Sequence, residues 1–152
     1  MNKNIFSLKG KVVVITGAAG QLGRQHADAV ASFGGSPVLL DLESKPVQDL
    51  ASELHCKYEV DATGYVVDIT SEEEIEQNCK DILKRYGKID ALVNNAANNP
   101  KVEKKGSNNF SRLENFPIEN WNADLAVGLT GAFLSAKHYG TEISSNPDGG
   151  VI

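Results

Sequence analysis

Val12-Val13-Val14-Ile15-Thr16-Gly17-Ala18-Ala19-Gly20-Gln21-Leu22-Gly23 runs from an unbroken apolar segment straight into a glycine-spaced turn. The apolar run has the length and β-branched content of a strand, and helical periodicity begins at Gln21. A strand that feeds a glycine-rich turn and then a helix leaves backbone N–H groups free at a positive helix end, where a pyrophosphate can sit. The next apolar run, Val38-Leu39-Leu40, ends in Asp41. A carboxylate at the tip of the neighbouring strand is placed to accept hydrogen bonds from the two ribose hydroxyls of NAD.

Outward from this stretch the pattern repeats. Runs short enough for strands fall at 12–16, 38–40, 64–69 and 89–93, with helical periodicity between them. A first helix over 21–33 sets Leu22, Ala29, Val30 and Phe33 on one stripe, and Gly34-Gly35 stops it. A second covers 46–56. Ser71 opens a third, with Glu72, Glu73 and Glu74 in its first turn and Lys84 and Arg85 before Gly87, which suits the helix dipole at both ends. Strands alternating with helices predict an α/β fold, a doubly wound parallel sheet of the Rossmann type.

From Asn98 to Asn115 periodicity is lost, and Lys101 to Asn109 reads as a long exposed loop. A fourth helix is predicted over 117–142, with Trp121, Leu125, Leu129, Phe133 and Leu134 as its apolar stripe. Asn146 to Gly150 is a turn, and Val151-Ile152 reads as the start of a fifth strand. The expectation is therefore one dinucleotide-binding domain over 1–152, truncated at that strand, with the catalytic part beyond it.

The 152 residues carry a formal charge of −5, with 41% hydrophobic and 23% charged residues, enough for a buried core. Basic residues are scattered, which argues against a nucleic-acid surface. Phosphate capture then falls to backbone groups, and Arg24, inside the first helix, reads as part of a solvated face. Cys56 and Cys79 show no metal-ligand spacing and are expected to be reduced thiols. No run approaches the roughly 20 apolar residues of a membrane span, and residues 1–11 lack a signal-peptide pattern, so the expected location is the cytoplasm, away from membranes.

With these pieces in place the chain resembles the N-terminal half of the short-chain dehydrogenase/reductase family. The resemblance is carried by the Thr16 to Gly23 turn, Asp41, Val67-Asp68-Ile69-Thr70, Asn94-Asn95-Ala96-Ala97, and Trp121-Asn122 followed by Leu125 to Phe133. It implies that Asp68 pairs with the adenine amino group and Ile69 packs beside the ring, while Asn95 and Ala96 steady the central strand and line the nucleotide site. Gly17, Gly20, Gln21, Leu22 and Gly23 complete the implied cofactor-binding set with Asp41. A 2′-phosphate would set about two negative charges against Asp41, a repulsion on the order of a few kcal/mol, so NAD is the expected cofactor.

The chain departs from the family at several places. The single-domain members have a glycine where this chain has Gln21; here Gly17, Gly20 and Gly23 are spaced three apart, as in members that modify nucleotide sugars. On that pattern Gln21 lays a side chain over the pyrophosphate and Gly20 takes the close approach. Gly128 stands where the family places an Asn that supports a water linked to its catalytic lysine. The family's reaction uses a Tyr and a Lys four residues on, yet Tyr58, Tyr65, Tyr86 and Tyr139 are followed at that spacing by Ala62, Ile69, Asp90 and Ile143. No catalytic residue or metal ligand is therefore assigned within 1–152.

The resulting reading is the cofactor half of an NAD-dependent dehydrogenase that interconverts a secondary alcohol and a carbonyl on a polar, sugar-like small molecule. It carries a loose similarity to members acting in surface-carbohydrate or flagellin-glycan synthesis. The family also implies a homodimer or homotetramer paired through the fourth helix. The alternative is a noncatalytic NAD-binding sensor or interaction module, which Gly128 and the missing Tyr/Lys pair would fit.

Overall fold

The computed structural model describes residues 5–98 and 113–152. β1 (Val12–Thr16), α1 (Gln21–Ser32), β2 (Ser36–Asp41), α2 (Ser44–Tyr58), β3 (Thr63–Val66), α3 (Glu72–Tyr86) and β4 (Ala91–Val93) alternate along the chain. A short 3-10 turn (Leu113–Asn115) then leads into α4 (Ile118–Leu125), a π-helical segment (Ala126–Gly131) and α5 (Ala132–Ser144). The loop read between Asn98 and Asn115 lies almost wholly outside the described residues.

All strand pairs are parallel, in the order β3-β2-β1-β4. The chain steps from β1 to β2 and β3, then crosses back to place β4 on the other side of β1. Strand order thus reverses between β1 and β4, where open α/β sheets form a crevice at the strands' carboxyl ends. Every residue of β1 is buried, and the two-residue strand period divides them between two layers. Val12 and Val14 pack with Val38, Leu40, Ile75, Ile82 and Tyr139 on the α3/α5 side. Val13 and Ile15 pack with Leu39, Ala27, Val30, Val47 and Leu50 on the α1/α2 side. A doubly wound Rossmann-type sheet is what these residues build.

Several elements differ from the sequence pattern. In α1 the buried face is Gly23, Ala27, Val30 and Ala31, while Leu22 is 66% exposed and Phe33 47%. Small side chains let α1 lie close to the sheet, so the larger apolar residues are turned outward. β3 ends at Val66 although Val67 and Ile69 are also buried. There the Asp68 carboxylate accepts from the Thr70 N–H at 2.8 Å and from its hydroxyl at 2.7 Å, turning the chain before Ser71 caps α3. β2 and α2 are longer than the pattern suggested, and β4 is shorter.

The long fourth helix is observed as α4 and α5 joined through the π segment, with right-handed helical backbone at both junctions. Its stripe divides: Leu134 enters the core, whereas Trp121 (53%), Leu129 (64%) and Phe133 (62%) remain exposed. Val151 joins the sheet through a single parallel bridge to Ala91.

Asp90 ties the start of β1 to β4 and to Val151. It is 7% exposed; its carboxylate accepts from the Val12 N–H at 2.9 Å and pairs with Lys11 at 2.9 Å and Lys88 at 3.0 Å. Its own N–H donates to the Val12 carbonyl and its carbonyl accepts from the Val151 N–H. Burial alone would raise the Asp90 carboxyl, but the Val12 N–H and the two ammonium groups hold it below the usual carboxylate range. A depressed folded-state pKa stabilises above the unfolded value of about 4 and is lost as pH falls through the folded one. Both lysines are partly exposed and can return to water, so the cost of removing the carboxylate is the stranded Val12 N–H. Asp90→Ala is expected to lower stability by about 2 kcal/mol at neutral pH. The deficit should shrink below about pH 4, which urea unfolding of the two proteins at pH 7 and pH 3 would measure.

Candidate nucleotide site

The turn after β1 is clamped from the end of β4. The Thr16 hydroxyl accepts from the Asn95 and Ala96 N–H groups, both at 3.1 Å. The Asn95 side-chain amide donates to the Thr16 carbonyl at 2.9 Å and the Gly17 carbonyl at 3.0 Å. Gly17 has φ +63, and a Cβ there would come within 2.9 Å of the Ala96 Cα, so both conformation and space require glycine. Gly23 serves contact alone: a Cβ would overlap the Gly17 carbonyl oxygen and crowd Ala18. At Gly20 a Cβ would meet only the Gly17 carbonyl, at 3.2 Å, leaving that position open on its other sides.

α1 begins at Gln21 with no side-chain cap and no acidic residue in its first turn. The first N–H groups of a helix have no partner inside it, so this end presents unsatisfied donors and a positive dipole. α3, by contrast, is capped by Ser71, whose hydroxyl accepts from the Glu74 N–H at 3.3 Å.

Asp41 closes β2 at the same level. One carboxylate oxygen accepts from the Ala19 N–H at 2.8 Å and the other from the Leu42 N–H at 2.8 Å. Both bonds fix the carboxylate, and a carboxylate has about four acceptor positions, so half remain for a ligand. One Asp68 oxygen is occupied by Thr70. Ile69 is 7% exposed and reaches the π segment, where a Cβ on Gly131 would come within 2.7 Å of its Cδ1.

These groups surround a cleft of about 700 Å³. Gly17, Gly20, Gln21, Leu22, Asp41, Asp68, Ile69, Asn95 and Ala96 line it; Gly23 lies behind the wall as a packing residue. Residues the sequence reading left out also line it, among them Arg24, Glu43, Pro46 and Val127 of the π segment. Arg24, read from the sequence as part of a solvated face, is half-buried, and its Nε donates to the Ala19 carbonyl at 3.1 Å. The signal was available in the spacing: four residues after Gly20, it stands one helical turn above a position without a side chain.

No described tyrosine reaches the cleft. Tyr139 is fully buried, donates to the Asn78 side chain at 2.9 Å, and burial pushes its hydroxyl far up. Tyr58 is bonded to Asp28 and Tyr86 to Thr63. Among the described residues no His, Cys, Asp and Glu side chains gather as a metal cluster. Cys56 is exposed; Cys79 is buried, and desolvation pushes its thiol up to about 11.

A profile of the short chain dehydrogenase family matches residues 11–152. An NAD-dependent glycerol dehydrogenase of Listeria innocua is 32% identical over 147 residues, covering 97% of this chain and 53% of that protein. An NADP-dependent mannitol dehydrogenase of Alternaria alternata is 28% identical over 153 residues, covering 99% and 54%. The crystal structure of NAD+-bound xylitol dehydrogenase superimposes with a TM-score of 0.82 at 27% identity, over 95% of this chain and 52% of that one. The chain spans about half the length of the curated relatives it matches.

The glycine contacts generate a paired prediction. Gly23→Ala should destabilise the protein by more than about 2 kcal/mol, since backbone on both sides leaves no room. Gly128→Ala meets nothing within 4 Å and should be neutral or gain up to about 1 kcal/mol from helix propensity. Thermal melting of the two variants beside the parent checks both.

Proposed function

The chain belongs to the short-chain dehydrogenase family, and from that footing we propose that the protein carrying it is an oxidoreductase that uses a nicotinamide dinucleotide. The observation that carries this reading is the cleft where strand order reverses, bordered by the uncapped start of α1 and by Asp41. Its volume suits a small-molecule site. In this reading the α1 N–H groups hold the pyrophosphate and the free acceptor positions of Asp41 hold the adenosine ribose. Asp68 and Ile69 border the adenine, and Asn95 and Ala96 line the far end. Gly23 has an indirect part, letting α1 approach. When bound, the nicotinamide gives or takes the hydride.

Asp41 supports NAD over NADP, because both its oxygens are fixed and the carboxylate cannot swing away from a 2′-phosphate without breaking two hydrogen bonds. The names of the relatives support a polyol substrate, with a secondary alcohol and a carbonyl interconverted. Among the described residues no tyrosine lines the cleft, so in this reading the chain contributes binding. On this reading residues 1–152 alone should transfer no hydride, which an assay of NAD reduction by the isolated chain would check. The exposed Trp121, Leu129 and Phe133 support a two-fold assembly through α4 and α5.

Calorimetry on the full-length protein tests the Asp41 role. Asp41→Ala should weaken NAD about tenfold, the loss of ionic hydrogen bonds to the ribose, and should weaken NADP less or strengthen it. No loss for NAD would remove Asp41 from the site. For assembly, Leu129→Asp should lower the mass of the full-length protein by light scattering; an unchanged mass would make the exposed stripe ordinary surface.

A further inference from the structure

Asn98 joins the cleft to α4 through a single side-chain bond. Its amide donates to the Asp124 carboxylate at 2.9 Å. Asn98 lines the cleft, and Asp124 stands in α4 three residues before Val127, which lines it as well. Neither side chain has another hydrogen bond or an ion pair among the described residues. Carboxylate oxygens only accept, so the Asn98 amide must turn its NH2 group toward Asp124, which leaves its carbonyl oxygen and one N–H unspent. Asn98 is exposed and Asp124 half-buried. A hydrogen bond in such a place adds little to stability; its consequence is the orientation of the amide. Asp41 closes β2 and Asn98 follows β4, with β1 between those strands, so the two residues border the cleft from opposite sides of the central strand.

We propose that Asn98 contacts the substrate, taking a hydroxyl of an uncharged polyol other than the one that reacts, and that Asp124 is the positioning residue that holds its amide. The inference rests on the nucleotide and polyol readings given above and names a residue that recognises the substrate. With the adenosine ribose assigned to Asp41 and the pyrophosphate to the start of α1, the side of the cleft beyond β1 is left to the reacting half of the dinucleotide and to the substrate. A hydroxyl both donates and accepts, which matches an amide with one free N–H and one free carbonyl oxygen. The Asp124 carboxylate behind that amide also selects by charge. Arg24, the one cation among the described lining residues, is tied to Ala19 on the Asp41 side. A phosphate or carboxylate on the substrate would meet the Asp124 charge with no described lining cation on that side to offset it, whereas neutral hydroxyls carry no such cost.

Steady-state kinetics of the full-length protein with NAD and each of glycerol, xylitol and mannitol tests this, beside calorimetry of NAD binding. For the polyol turned over best, Asn98→Ala should raise KM about tenfold, the loss of hydrogen bonds to one hydroxyl, with kcat changing far less. Asp124→Ala should raise KM about threefold, because the released amide must be ordered again when substrate binds. Asp124→Asn keeps a carbonyl that accepts from the Asn98 amide and should restore the parent KM. A residue that only supported the cleft wall would move cofactor affinity too, whereas the Kd for NAD should stay within about twofold in all three variants. An unchanged KM in Asn98→Ala, or a loss of NAD affinity equal to the rise in KM, would overturn the Asn98 assignment. Failure of Asp124→Asn to recover what Asp124→Ala loses would overturn that of Asp124. If the parent protein binds NAD but oxidises none of the three polyols, the polyol reading fails and this inference with it; if it binds no NAD, the nucleotide reading of the cleft fails, and again this inference with it.

Discussion

The carbonyl oxygen of Gly17 is met from three sides, and the cleft depends on that crowding. The Asn95 amide donates to it at 3.0 Å and the Gly20 N–H at 3.2 Å, while Gly23 lies so near that no side chain can stand there. The consequences spread in both directions along the chain. Asn95 fastens the carboxyl end of β4 to that of β1, and Gly23 brings the start of α1 against the strand it has just left. The uncapped N–H groups of α1 are thereby held over the crevice that the reversal of strand order opens. Without a positive φ at Gly17 the turn would not close, and without glycine at 23 the helix would be pushed off the sheet.

Charge placement builds on that framework. Asp41 arrives at the cleft only because β2 pairs with β1 in register, Thr16 opposite Leu40. Its two backbone hydrogen bonds then hold it ready, so little ordering remains to be done when a ligand arrives. The same residue that fixes Asp41, Ala19, also anchors Arg24. The π segment contributes at the other end, where Val127 lines the wall and Gly131 makes room for Ile69. Single π turns inside α-helices are frequent at functional sites.

The sheet was legible because apolar runs and glycine punctuation repeat at the spacing of strand–helix units, and α3 was legible from Ser71, its glutamates and Gly87. The face of α1 was not. A stripe chosen by size favours Leu22 and Phe33, whereas the close approach set by Gly23 selects Ala27 and Ala31. β3 was read too long because burial continues through Val67 and Ile69 after the ladder has ended at an Asp68 turn. The π segment has no composition of its own: Ala126 to Gly131 reads as ordinary helix. Of the site, Gly17, Asp41, Asp68 and Asn95 could be named from motif and resemblance, whereas Arg24, Glu43, Pro46 and Val127 were not. What each does locally could not be read, since the Ala19 N–H to Asp41 and the Arg24 Nε to Ala19 bonds connect residues whose proximity exists only after folding.

The central claim is that the start of α1 and the tip of β2 form one dinucleotide cradle. A crystal structure of the full-length protein grown with NAD tests it most directly. The account predicts pyrophosphate oxygens within about 2.7–3.2 Å of N–H groups at the start of α1, and Asp41 accepting from the adenosine ribose while keeping its bond to Ala19. A dinucleotide bound elsewhere, or one lying in the cleft with its ribose turned away from Asp41, would contradict it.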